Sequence, residues 1–206
     1  MRKRPLTRIV QWGHDLLAEV VSTGDLAVDL TAGNGNDTLT LYQLVGSTGR
    51  VAAFDIQLPA LVATKERLTD AGAVVRLHKN ANEVLSNDTG VDLFQLNHAA
   101  LADVVRDRPT GIIANLGYLP GGEQNIVTQP ESTVMALEQS CQLLAIGGRM
   151  AIVVYPGHPG GSAEGNAVDR FMSRLDSLMF HTVLMRVSNR PQAPFLYVVE
   201  KLRGRG

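Results

Sequence analysis

The stretch Asp29-Leu30-Thr31-Ala32-Gly33-Asn34-Gly35-Asn36-Asp37-Thr38 decides the fold. A short apolar run, Leu26 to Leu30, leads into it, and Leu39, Leu41, Leu44 and Val45 continue beyond it at helical spacing. Glycines between a strand and a helix let the backbone turn tightly and approach a ligand, while the helix start offers free N–H groups. A lone G-x-G is weak evidence; the strand before it and the helix after it give it meaning. Upstream, Ile9, Trp12, Leu16, Leu17 and Val20 predict an amphipathic helix ending near Ser22 to Gly24. Downstream, Arg50 to Asp55 reads as a second strand and Pro59 suits the first turn of a helix carrying Leu61, Val62 and Leu68. Ala73 to Leu77 is a third apolar run, so the first part of the chain reads β-α-β-α-β.

Asn80 to Asp107 is less regular, with Val91, Phe94, Leu101 and Val104 suggesting helical pieces before Gly111 to Asn115 forms a fourth strand. Thr128 and Glu131 are spaced as a capping box ahead of Val134, Leu137, Cys141 and Leu144, and Gly147-Gly148 ends that helix. Arg149 to Tyr155 is a fifth strand; after the Pro156 to Gly165 loop, Val168, Phe171, Met172, Leu175 and Leu178 mark a helix. The runs Thr182 to Val187 and Phe195 to Glu200 are only about seven residues apart. A parallel crossover needs a dozen or more, so these two pair antiparallel. No repeat or linker divides the chain, and residues 1–206 read as one domain. The expected fold class is α/β, a doubly wound Rossmann-like sheet, mostly parallel with an antiparallel C-terminal strand pair. Such sheets bind ligands outside the carboxyl ends of their strands.

Composition narrows the function classes. With 19 basic and 20 acidic residues, a net charge of -1 and 45% hydrophobic residues among 206, the chain is neither disordered nor globally basic, and nucleic-acid contact would need a local patch. The single cysteine, Cys141, excludes an intramolecular disulfide and sits on the apolar face of its helix, a core position rather than a nucleophile. No apolar run approaches the ~20 residues of a membrane span, and no signal-peptide core follows Met1 to Pro5, so a cytoplasmic protein with no membrane partner is expected. His14, His98 and His181 are scattered without ligand spacing, and no metal is predicted. His78 reads either as a contact on the adenine side of a cofactor or as a solvated loop residue. Arg2, Lys3, Arg4 and Arg8 read either as solvated or as meeting RNA phosphates.

Asp55 closes the second strand about 20 residues beyond Gly35, where an acid accepts hydrogen bonds from ribose hydroxyls. Two adenosine cofactors fit, a nicotinamide dinucleotide and S-adenosylmethionine. Thr38 stands at the third glycine position of the dinucleotide fingerprint, where a side chain spoils close helix packing. Asp29 would repel a pyrophosphate yet suit the ammonium end of a methionine. The antiparallel strand pair matches the methyltransferase sheet, and all three features favour S-adenosylmethionine. After the fourth strand, Asn115-Leu-Gly-Tyr118 resembles the Asn-Pro-Pro-Tyr of amino-methyltransferases, in which an amide and a backbone carbonyl accept from the reacting amine while the ring stacks on the target. The fifth strand ends in Tyr155-Pro-Gly-His158-Pro-Gly-Gly161, expected to line the same pocket, with His158 either a proton acceptor or substrate partner or a brace for the loop.

Together, Thr31-Ala-Gly-Asn-Gly-Asn-Asp-Thr38, Asn115-Leu-Gly-Tyr-Leu-Pro-Gly-Gly122 and Tyr155-Pro-Gly-His-Pro-Gly-Gly161 resemble bacterial proteins first filed as rRNA methylases. Members of that family are assigned as tRNA 5-(aminomethyl)-2-thiouridine methyltransferases, and the resemblance runs from about Leu6 to Lys201. It implies an S-adenosylmethionine cofactor, a tRNA anticodon stem-loop as substrate, and room for a homodimer. The expected cofactor contacts are Asp29, Ala32, Gly33, Asn34, Gly35, Asn36, Asp37, Thr38, Asp55, Ile56, Gln57, Asn80, Ala81 and Asn115; Asn115, Tyr118 and His158 are the catalytic candidates. Family members often carry Ser-His after the third strand, where this reading places Asn80-Ala81. The alternatives are another RNA methyltransferase, a non-catalytic RNA-binding module on the same fold, and a nicotinamide oxidoreductase.

Overall fold

The computed structural model describes residues 8–79, 82–117, 127–157, 160–190 and 192–204. The chain runs α1 (Ile9–Ala18), β1 (Leu26–Asp29), α2 (Asn36–Val45), β2 (Arg50–Phe54), α3 (Leu58–Asp70), β3 (Val75–His78) and β4 (Gly90–Phe94). A 3-10 turn, His98–Ala100, leads into α4 (Leu101–Val104) and β5 (Gly111–Leu116). Then come α5 (Pro130–Leu143), β6 (Arg149–Val154), α6 (Gly161–Met172), β7 (Phe180–Met185) and β8 (Phe195–Lys201). Eight strands form one sheet in the order β3-β4-β2-β1-β5-β6-β8-β7. Every pairing from β3 to β6 is parallel, and β8 runs antiparallel to both β6 and β7, as expected of the C-terminal pair.

Alternation along the strands builds two cores. Ala27, Val51, Ala53, Ile113, Ala151 and Val153 face α1, α2 and α3, while Val28, Ala52, Phe54, Ile112, Ile152 and Val154 face α4, α5 and α6. Strands buried on both faces carry apolar residues at nearly every position, which is why they read as continuous runs. Each fully buried Leu, Ile, Val or Phe contributes roughly 1.5–3 kcal/mol, so these layers hold the strand ends in fixed relation. Close approach matters at Gly13, where an added Cβ would lie 3.3 Å from Ala151 Cβ, seating α1 directly on β6. At the far end of α5, the buried Lys201 ammonium donates to the Cys141 and Gln142 carbonyls at 2.8 and 2.9 Å, closing the helix.

Three details differ from the sequence reading. The stretch read as helical pieces contains β4, and it is β4, not β3, that pairs with β2. Asp92 interrupts its apolar pattern yet is fully buried, held by Arg76 Nε and Nη2 at 2.9 and 2.7 Å and by His78 at 2.6 Å. The capping box does not form: Gln129 is the N-cap without a side-chain bond, and the Thr128 hydroxyl donates to Glu164 instead, at 2.7 Å. Helix α6 ends at Met172, so Leu175 and the exposed Leu178 lie beyond it. Among the described residues no helix is long and apolar enough to cross a membrane. Burial pushes the Cys141 thiol up to about 12, in keeping with a packing role.

Candidate active site

A cavity of about 450 Å³ opens at the carboxyl ends of β1, β2, β4 and β5. Its floor is the glycine turn. Ala32 N–H donates to the Phe54 carbonyl at 2.8 Å, and Gly35 adopts φ 76° just before α2. An added Cβ at Gly35 would lie 2.9 Å from the Thr64 backbone, so no other residue fits that turn. The Thr64 hydroxyl and the Arg67 guanidinium donate to the Gly33 and Asn34 carbonyls, at 2.9 and 2.8 Å, tying the turn to α3.

Asp55 stands at the rim. Its carboxylate accepts from Gly33 N–H at 2.9 Å and Gln57 N–H at 2.8 Å, one bond to each oxygen. A carboxylate has about four acceptor positions, so these bonds do not exhaust it. Burial pushes its pKa upward, and the Gln57 and Gly33 backbone bonds oppose that. Around this end Phe54, the half-exposed Ile56, and Leu96 offer apolar surface.

The opposite end is polar and built on β5. Asn115 N–H donates to the Thr31 hydroxyl at 2.8 Å, its Nδ2 donates to Asp37 Oδ2 at 2.7 Å, and Tyr155 OH donates to its Oδ1 at 3.3 Å. Burial, and then the Asp37 charge, push the Tyr155 phenol upward, which keeps it a neutral donor. The other oxygen of Asp37 lies 2.5 Å from His14 Nε2.

Of the expected contacts, Ala32, Gly33, Asn34, Asn36, Asp37, Asp55, Ile56, Gln57 and Asn115 line the cavity. Asp29, Gly35 and Thr38 do not. Asp29 is fully buried behind the turn, its oxygens taken by Thr31 N–H at 3.0 Å and the Thr38 hydroxyl at 2.6 Å. Burial, with the neighbouring Asp37 charge adding to it, lifts Asp29 to about 7. Of the two acids flanking the glycine turn in sequence, Asp37, in the first turn of α2, is the one that lines the cavity. Tyr118, His158, Asn80 and Ala81 lie outside the described residues, as do Arg2, Lys3 and Arg4; Arg8 is exposed.

Sequence reading missed Asn97, His98 and His14. Asn97 and His98 follow β4, the strand beside β2, and both line the cavity. Asn97 Oδ1 accepts from Ala99 N–H at 2.9 Å, fixing the 3-10 turn. Burial keeps His98 below the usual histidine range, and its Nε2 has no partner among the described residues. His78 takes neither reading offered for it: it stacks on Phe94 at 4.7 Å and lies within hydrogen-bond distance of Glu83 and Asp92. No group of three or more metal-ligating side chains occurs among the described residues.

The cavity thus runs from an apolar slot, past an acid with acceptor capacity to spare, to an amide, a phenol and a carboxylate. Comparison with known proteins places this arrangement. Residues 51–200 match the family model described as "Putative rRNA methylase". The chain is 36% identical over 195 residues to the chloroplastic tRNA (mnm(5)s(2)U34)-methyltransferase of Arabidopsis thaliana, covering 91% of this chain and 67% of that one. A structure described as a putative rRNA-methylase from Clostridium thermocellum superposes with a TM-score of 0.84 at 34% identity, over 94% of this chain and 97% of the other. A Streptococcus mutans structure, described as a putative methyltransferase in complex with SAH, gives 0.79 at 35% identity over 98% and 100%. A family match across most of the chain, and structural agreement that extends through the antiparallel end of the sheet, lead to one conclusion: the chain belongs to the "Putative rRNA methylase" family and has its methyltransferase fold.

Proposed function

We propose that this protein is an S-adenosylmethionine-dependent methyltransferase that N-methylates the aminomethyl group of 5-aminomethyl-2-thiouridine at the wobble position of tRNA. Support for the cofactor comes from the Streptococcus mutans relative with bound SAH and from the chemistry of the cavity wall. Asp55 has acceptor capacity left for ribose hydroxyls, Phe54, Ile56 and Leu96 suit a flat purine, and Asp37 suits an ammonium. When bound, the cofactor supplies an electrophilic methyl group on sulfur.

The observation that carries the amine reading is the hydrogen bonding of Asn115. Its Nδ2 is engaged by Asp37, so its oxygen, already accepting from Tyr155, is the atom with capacity left for a donor. An acceptor favours a nucleophile that keeps an N–H through the reaction, and its attraction grows as nitrogen gains positive charge. An alkyl ammonium of ordinary pKa near ~10.4 costs roughly 4 kcal/mol to deprotonate at pH 7. Desolvation in the cavity lowers that cost, so a strong base is not required. Holding the amine in line then supplies much of the rate. The substrate itself is carried over from the name of the Arabidopsis thaliana relative and from the Asn-Leu-Gly-Tyr-Leu-Pro-Gly-Gly motif.

The test is methyl transfer to tRNA from cells lacking this protein, followed by nucleoside mass spectrometry. The expected product is methylaminomethyl-2-thiouridine, formed at the expense of the aminomethyl nucleoside. Cofactor binding without methylation of that tRNA refutes the substrate.

A further inference from the structure

Helix α1 contributes a polar residue to the site from outside the cavity. His14 follows Gly13, whose close seating on Ala151 fixes the helix against β6. Its side chain is 14% exposed and its Nε2 lies 2.5 Å from Asp37 Oδ1. Asp37 Oδ2 in turn accepts from Asn115 Nδ2 at 2.7 Å, and Asn115 Oδ1 accepts from Tyr155. The four side chains form one line of hydrogen bonds that joins α1, the first turn of α2, the end of β5 and the end of β6. His14 and Asp37 both precede residue 51, where the match to the family model begins.

We propose that His14 is a positioning residue for methyl transfer, acting through Asp37 to fix which way round the Asn115 amide lies. The inference rests on the proposed role of Asn115 as acceptor for the amine. A side-chain amide can rotate by half a turn and exchange its oxygen and nitrogen, and only a partner of fixed polarity prevents this. A carboxylate is such a partner, since it accepts and does not donate. Turned over, the amide would set its oxygen against the Asp37 carboxylate and its N–H groups against those of an incoming amine. Asp37 restrains it only while its own carboxylate is held, and His14 engages the oxygen that Asn115 does not. Without the imidazole, Asp37 is free to turn toward water from the first turn of its helix, and the amide loses its reference.

Single-turnover methylation at saturating cofactor, together with 1H–15N spectra of the Asn115 side-chain amide, tests this. His14→Leu lowers the transfer rate by about 10- to 100-fold, the scale of a misplaced reacting group. The tRNA KM stays within about threefold of wild type, while cofactor affinity falls because Asp37 also faces the cofactor's ammonium, a loss that saturating cofactor removes from the rate. His14→Gln, which keeps a donor, recovers most of the rate. In an Asn115→Ala background His14→Leu adds nothing, because both act on one group. The Asn115 amide resonances move in His14→Leu and return in His14→Gln. An undiminished rate in His14→Leu, an equal loss in His14→Gln, a full further loss in the Asn115→Ala background, or unmoved amide resonances would each overturn the proposal. The spectra need no substrate, so a wild-type protein that fails to methylate the aminomethyl tRNA refutes the proposed substrate alone, while the coupling of His14 to Asn115 is still decided.

Discussion

Asp29→Asn should make the protein more stable above neutral pH. The folded carboxyl has no contact with solvent and ionises near 7 rather than at the ordinary 3.8. Burial is the main cause and the Asp37 charge adds to it; the Thr38 and Thr31 bonds pull the other way without prevailing. Below pH 3.8 both folded and unfolded chains carry the proton, and Asp29 costs nothing. Between there and about 7 the unfolded chain releases its proton while the folded one retains it, so stability falls as pH rises. Above 7 both are ionised and the loss is complete. At 1.36 kcal/mol for each pH unit of that interval, the loss is on the order of 4 kcal/mol. An asparagine abolishes the titration and keeps both partners: its oxygen accepts from Thr31 N–H, and its amide donates to the Thr38 oxygen. Urea unfolding of wild type and variant at half-unit steps from about pH 4 to pH 8 measures the difference directly. The variant's relative stability should climb through that range and then level. Parallel curves across it would refute the assignment of a buried, late-ionising Asp29.

Three further outcomes are expected. Asp55→Ala should weaken S-adenosylmethionine binding by about 1–3 kcal/mol, because a charged acceptor of two hydroxyl bonds is lost; calorimetry on the folded variant checks it, and unchanged affinity removes Asp55 from the ribose site. Asn115→Ala should lower kcat by about 100-fold or more with cofactor affinity largely intact, read in single-turnover methylation; a near-wild-type rate there leaves the amine-acceptor role untenable. Glu164→Ala should cost roughly 2–3 kcal/mol of stability, since Glu164 is 1% exposed and accepts from the Thr128 and Thr133 hydroxyls at 2.7 Å each; an unshifted denaturation midpoint would contradict that estimate.

What the sequence made legible follows from where its signals are local. The glycine turn, Asp55 and Asn115 sit next to strand ends whose apolar runs are unbroken, so position in the fold could be inferred from position in the chain. Strand β4 failed that test because Asp92 breaks its pattern, and the partners that neutralise the break, Arg76 and His78, come from β3. Missing β4 left Asn97 and His98, which follow it and line the cavity, out of the candidate set. The apparent capping box misled for a related reason: Thr128 was judged against Glu131, its neighbour in sequence, whereas its hydroxyl reaches Glu164. His14 carried no signal at all, since its partner lies 23 residues away and the pair is defined only once α1 and α2 are packed.

The Glu164 contacts also bear on how the chain leaving β5 is held. Thr128 N–H donates to the Gly117 carbonyl at 3.0 Å while its hydroxyl is held by Glu164, so the chain leaving β5 is pinched shut at its neck and pinned to α6. Gly117 and Thr128 therefore hold each other directly, whatever residues join them in the chain. Lengthening a closed loop is cheap, about 0.6 kcal/mol for each doubling. Substitutions or insertions between them are expected to leave Asn115 on one side and α5 on the other in their places. The strand-end groups around Asn115 are thereby insulated from whatever sequence joins β5 to α5.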